Sequence, residues 1–234
     1  MLGVATFAAV RSANRSARIA ERAFQIGLRP ILAPSRLEDP PQRVMFRDRH
    51  WVDLKGGRAV VEVVDGVVYL AMLVRNVGNG MAIIESWEPF PGQRSSTDRW
   101  GAIEEFRSQT RALWIAPNDV AFWQGALRDD ADEFQRRVAA GVAEGAVTVD
   151  LLYLDHEGGQ QTVSRFSLIR RDGEVEVDEG SGDGSREGDP NGDRAEWWVS
   201  LSWHRTLDRD RDRDGDGDGD GDRRQPERRT QPER

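Results

Sequence analysis

Two apolar runs joined by a two-residue turn constrain this chain more than any other feature. Ala59–Val64 (AVVEVV) and Val67–Val74 (VVYLAMLV) flank Asp65-Gly66. An Asp-Gly pair between such runs is a strong hairpin signal, because the tight turn needs positive φ at both central residues. The second run is apolar on both faces, which predicts a central strand covered on each side. Asn76-Val77-Gly78-Asn79-Gly80 follows, rich in residues that tolerate positive φ, and leads into a strand over Met81–Glu88. The expectation is a three-stranded meander.

Further runs extend the pattern. Val120–Leu127 (VAFWQGAL), Val147–Leu154 (VTVDLLYL) and Gln161–Arg170 (QTVSRFSLIR) read as strands, the last two joined by the turn Asp155–Gly159. Glu196–Thr206 alternates, with Val199, Leu201 and Trp203 on one face and Trp198, Ser200, Ser202 and His204 on the other. Asp129–Ala143 is the one internal helix expected, with acids in its first turn and Phe134, Val138 and Val142 at helical spacing. Roughly eight strands without βαβ alternation predict a mainly β fold, a two-sheet sandwich of immunoglobulin-like architecture covering residues 40–207. The chain has no cysteine. A disulfide framework, a thiolate zinc site and a cysteine nucleophile are therefore excluded.

Charge is distributed unevenly. The net charge is -8, and nine carboxylates stand between Asp172 and Asp193 against the single Arg186. Residues 172–194 read as an acidic, disordered insert between two strands, and 208–234 as a disordered tail that cannot bury enough apolar surface to offset its ordering entropy. An acidic chain with its acids in loops argues against nucleic-acid binding, which needs a basic surface.

The N-terminus is the opposite. Met1–Val10 is apolar and uncharged, and arginines then arrive every three or four residues. A helix over about Gly3–Gly27, within an N-terminal unit of residues 1–29, aligns Arg11, Arg15, Arg18 and Arg22 on one stripe. Ala13, Ala17, Ala20 and Phe24 lie on another. A spanning helix needs about 20 apolar residues. Two readings follow. Either the segment continues a membrane helix, with Arg11, Arg15, Arg18 and Arg22 as its cytoplasmic basic flank and the β domain in the cytoplasm. Or it is an amphipathic helix that packs on its own domain or lies on a surface, which includes a soluble cytoplasmic protein.

Arg75–Ala82 (RNVGNGMA), set between two strands, resembles the N-x-G-x-G-x-A hairpin of uncharacterised bacterial membrane-anchored β domains. Arg11–Ser35, Phe122–Asp129 (FWQGALRD) and Asp150–Gln160 (DLLYLDHEGGQ) resemble stretches of hypothetical actinobacterial proteins. The resemblance runs from about Ala8 to Leu207. It implies an N-terminal membrane helix followed by an immunoglobulin-like β domain, and it brings no activity or cofactor.

No residue set forms a coherent catalytic pattern. Asp155-His156-Glu157 could be drawn as a metal or acid/base cluster for a hydrolase, but the adjoining Gly158-Gly159 makes a solvated turn the simpler reading. Glu104-Glu105 and Asp129-Asp130 are pairs by adjacency alone, whereas a glycosidase pair is defined by separation across a cleft. Asp210–Gly215 opens like a calcium loop, but Gly221 stands where the bidentate Glu belongs. Eight tryptophans remain. By alternation Trp198 faces away from Trp203, beside His204, and these two mark a candidate interaction surface. The expectation is a non-enzymatic, membrane-proximal interaction or accessory domain without a cofactor. A soluble ligand- or carbohydrate-binding module using exposed tryptophans is the alternative.

Overall fold

In a computed structural model, which describes residues 2–98, 101–171 and 196–207, the β-branched runs become strands of one curled antiparallel sheet. Eleven strands are present among the described residues: β1 (Leu32–Pro34), β2 (Gln42–Met45), β3 (Trp51–Leu54), β4 (Arg58–Val64), β5 (Val67–Asn76), β6 (Ala82–Pro91), β7 (Arg107–Ile115), β8 (Val120–Leu127), β9 (Ala146–Leu154), β10 (Gln161–Arg171) and β11 (Glu196–Leu207). The helices are α1 (Leu2–Gly27) and α2 (Glu133–Glu144), with a short 3-10 turn at Ile103–Glu105. The main sheet runs β1-β5-β4-β11-β10-β9-β6-β7, and β8 pairs with β5. β2 and β3 form a separate hairpin.

The Asp65-Gly66 turn has φ of 51° and 78°, and it sets Val64 opposite Val67 in the β4–β5 hairpin. β5 is the central strand that its composition predicts. Val68, Leu70, Met72 and Val74 point into the curl, where they meet Trp87, Trp123, Phe166 and Trp197. Tyr69, Ala71 and Leu73 point outward and are covered by Val44, Phe46, Val52 and Leu54 of the β2–β3 hairpin. α2 closes onto the inner core through Val138 and Val142. It is capped by the Asp132 side chain, which accepts from the Phe134 N–H, and ends at Gly145 in the left-handed region.

The meander expectation fails. β6 pairs with β7 and β9, and β5 pairs with β1, β4 and β8, so the Asn76–Gly80 segment carries the chain across the curl. The reason lies at Asn76, whose N–H donates to the Asp119 carbonyl (3.0 Å) and whose carbonyl accepts from the Asn118 N–H (2.8 Å); this draws β8 against β5 and leaves no edge for β6. α2 also starts four residues later than its acidic run predicts, because Asp132 and not Asp129 supplies the cap.

β11 departs from its alternation. A bulge at Ser202 sets Trp203 opposite Arg165 and Leu201 opposite Phe166. Val199 and Leu201 pack on the inner core, while Trp203 packs with Phe106, Leu152 and Val163 on the outer face. One extra residue thus reverses the facing of everything after it. The acidic segment 172–194 and the tail 208–234, with its calcium-like opening, lie outside the described residues.

Candidate functional site

Two polar assemblies are built into the domain. The first is a joint that fastens the exit of α1. Asn76 is fully buried, and its side chain makes four hydrogen bonds. Nδ2 donates to the carbonyls of Gly80 (2.7 Å) and Ile115 (3.0 Å), and Oδ1 accepts from the backbone N–H of Ile31 (3.2 Å) and Gly78 (3.0 Å). Gly78 and Gly80 lie against Leu28–Ile31 so closely that a Cβ on either would run into that backbone. This explains the N-x-G-x-G spacing: asparagine bridges, and the glycines make room. Around the joint, Asn79 Nδ2 donates to the Gly27 carbonyl (3.1 Å), Arg29 Nε to Gln160 Oε1 (3.0 Å) and Gln160 Nε2 to the Gln25 carbonyl (3.1 Å).

Upstream of this joint the described side chains of α1 are open to solvent, with Glu21, Phe24 and Gln25 facing Asp155–Glu157 across a shallow cleft. Every described side chain from Ser12 to Gly27 is exposed, Ile19, Phe24 and Ile26 among them. Arg15 and Arg18 are exposed on one stripe, whereas the side chains of Arg11 and Arg22 lie outside the described residues. No helix among the described residues is long and apolar enough to cross a membrane.

The second assembly lies on the outer face of β6, β9, β10 and β11, under a strap formed by residues 92–98 and 101–106. Register aligns Glu88, Asp150, Arg165 and Trp203 in one row across four strands. Arg165 is completely buried. Its Nε and Nη2 donate to Asp150 Oδ1 and Oδ2, both at 2.8 Å, and its Nη1 donates to the carbonyls of Ser95 (2.8 Å) and Asp98 (2.9 Å). Such a bidentate pair, with both Nη1 donors also satisfied, is the arrangement a buried cation needs. The Asp150 hydrogen bonds raise Arg165 above its usual range and keep the guanidinium charged. Thr148 pins the same strap from below, accepting from the Arg94 N–H (2.9 Å) and donating to the Gly92 carbonyl (2.9 Å).

Glu88 ends this row without a match. It is 6% exposed, and its Oε2 has no hydrogen-bond partner among the described residues. The carboxyl abuts Gly101, where a Cβ would collide with it. Burial pushes its pKa up to about 7, reinforced by Glu105 and Asp150 and opposed by Arg94 and Arg107. A carboxyl titrating near neutrality is a frequent mark of catalysis; Glu88 lies apart from the clefts at Leu37–Gly56 and between α1 and Asp155–Glu157. Its neighbours are the strap and the sheet.

Trp198 and His204, expected side by side, are separated by the Ser202 bulge and sit on opposite faces of β11. Trp198 is half-buried and carries Arg58 3.1 Å from its ring centroid and Arg171 at 4.7 Å. Cations therefore occupy its π surface. His204 is exposed, opposite Ser164 in register. His156 lies in a solvated turn closed by Gly158 N–H to the Asp155 carbonyl (3.1 Å). Among the described residues no group of three or more His, Asp or Glu is placed to hold a metal ion. The members of the Arg165 row are scattered over four strands, and the one sequence signal for it is Asp150 inside the largely apolar run Val147–Leu154.

Comparison with protein-family models, with curated proteins and with solved structures finds no match for this chain.

Proposed function

We propose that this chain is a non-enzymatic, membrane-proximal accessory domain, held at an anionic membrane surface by α1 and presenting its β domain to a protein partner. One observation carries the reading: the exit of α1 is fixed to the domain by the Asn76 joint, while its described side chains from Ser12 to Gly27 stay exposed. We take a helix so oriented, with those side chains left to solvent, to have its partner elsewhere. Its arginine stripe lies roughly opposite Ala13, Ala17, Ala20 and Phe24 at about 100° per residue, the pattern of a helix lying in a lipid interface.

We read the curled sheet as an immunoglobulin-like two-sheet sandwich. Support comes from its thin connection: β4 and β11 share only the pairs Ala59–Trp197 and Arg58–Trp198. Side chains from β4, β5 and β8 on one side and β6, β9, β10 and β11 on the other fill one core. A non-catalytic role fits the commitment of Asn76 to the joint and of Asp150, Arg165 and Thr148 to the strap. The carbohydrate-binding alternative draws on Trp51 and Trp114, both exposed.

Flotation of the full chain with phosphatidylcholine vesicles, with and without phosphatidylserine, tests the proposal. The chain should float only with the anionic vesicles, and Arg15→Gln/Arg18→Gln should weaken flotation. Equal flotation of both chains, or none, would refute it; a saturable tryptophan shift with a glycan would favour the alternative.

A further inference from the structure

The β2–β3 hairpin is folded over the sheet for one purpose and decorated for another. Its inner side chains Val44, Phe46, Val52 and Leu54 cover β5. Its outer face carries Met45 and Trp51, directly opposed in register and 48% and 51% exposed. Arg43 lies 5.0 Å from the Trp51 ring centroid, and Arg47 and Arg49 stand exposed in the turn. Asp48, also exposed in the turn, is engaged through its Oδ2, which accepts from the Tyr69 hydroxyl (2.6 Å) and from Arg128 (3.2 Å). Asp53, 3.9 Å from Arg43, is the second outward acid, so the hairpin carries three arginines against two acids, one of them already paired.

The turn itself is a poor choice for stability. Phe46 and His50 pair across it, the Arg49 N–H donates to the Phe46 carbonyl (2.9 Å), and Arg49 sits at φ 66°. That is the left-handed position where glycine is the default and an L side chain is strained. An arginine at this position indicates that the side chain is used, since local strain gathers at functional positions.

We propose that the outer face of this hairpin, Arg43, Met45, Arg47, Arg49 and Trp51, is a second lipid-docking surface that seats on anionic headgroups. Three outward arginines in a chain of net charge -8 call for an anionic partner. The exposed Met45–Trp51 pair selects a bilayer, because tryptophan beside snorkelling cations is the composition of an interfacial anchor. The inference rests on the membrane-surface reading, and α1 and the hairpin become two contacts of one docked domain.

Because the chain has no cysteine, Met45→Cys can carry an environment-sensitive fluorophore without competing sites, with Ser108→Cys on β7 as control. Phosphatidylserine vesicles should shift the label to the blue at position 45 and leave that at 108 unchanged. Arg43→Gln/Arg47→Gln/Arg49→Gln should weaken binding by on the order of a hundredfold, about fivefold per arginine near an anionic surface. Vesicle binding without a shift at position 45 overturns this inference and leaves the helix reading standing. A shift at 45 that is unaltered by Arg15→Gln/Arg18→Gln supports the hairpin and overturns the helix reading. An equal shift with polyglutamate or RNA overturns the assignment to lipid, and no binding to vesicles overturns both.

Discussion

Glu88→Gln should make this protein more stable, by a margin that grows as pH rises from about 4.5 and is complete above about 7. In the fold the carboxyl is raised to about 7 from 4.5, with burial as the largest cause. A carboxyl raised in the folded state costs nothing below its unfolded value, where it is protonated in both states. Its cost grows as pH climbs through that window and is complete above about 7. At 1.36 kcal/mol per pH unit the interval amounts to about 3 kcal/mol, and solvent reaching the strap lowers the expectation to about 2 kcal/mol. Glutamine keeps the shape and removes the charge, and its amide can donate to the neighbouring carboxylates. Urea unfolding followed by tryptophan fluorescence at pH 8 and pH 5 gives the comparison. We expect a gain of about 2 kcal/mol at pH 8 and under about 1 kcal/mol at pH 5. A loss of stability at pH 8, or the same difference at both pH values, would show that Glu88 holds a partner and that its burial is not strained.

Asn76→Ala removes four hydrogen bonds at the joint and should cost about 3–4 kcal/mol in urea unfolding. Hydrogen exchange should then rise at Leu28–Ile31 before the sheet opens. Arg165→Leu strands the buried Asp150 carboxylate and should cost about 3–5 kcal/mol, much of it recovered when Asp150→Leu is added; an unimproved double variant would refute the pairing argument. Arg49→Gly relieves the left-handed turn and should stabilise the fold by about 1 kcal/mol, while binding to phosphatidylserine vesicles falls about fivefold. A destabilised glycine variant would mean that the turn carries no strain.

The sequence was legible where one strand pair explains itself. Asp65-Gly66 between β-branched runs gave the β4–β5 hairpin, and the unbroken apolar run Val67–Val74 gave a strand covered on both faces. The β2–β3 hairpin is harder to see, because Arg47-Asp48-Arg49 offers Asp48 but no glycine or asparagine at the left-handed position, which Arg49 fills. β7 was missed for its polarity: RSQTRALWI is largely exposed and shows little alternation. Facing on β11 failed at a single bulged residue. The Asn76 motif was noticed as a turn, but its role depends on Leu28–Ile31 and Ile115, distant positions that only the fold brings to it. Arg165 and Asp150 look like interruptions of apolar strands until register places them opposite each other.

We propose that α1 presents its exposed side chains to a lipid surface. Phe24→Cys, labelled with a fluorophore and mixed with phosphatidylserine vesicles bearing quenchers at graded acyl-chain depths, tests it most directly. The account predicts strong shallow quenching at position 24, fading toward the bilayer centre and abolished by Arg15→Gln/Arg18→Gln. A label that stays in water while the vesicles are present, or one equally quenched in neutral vesicles, would contradict it.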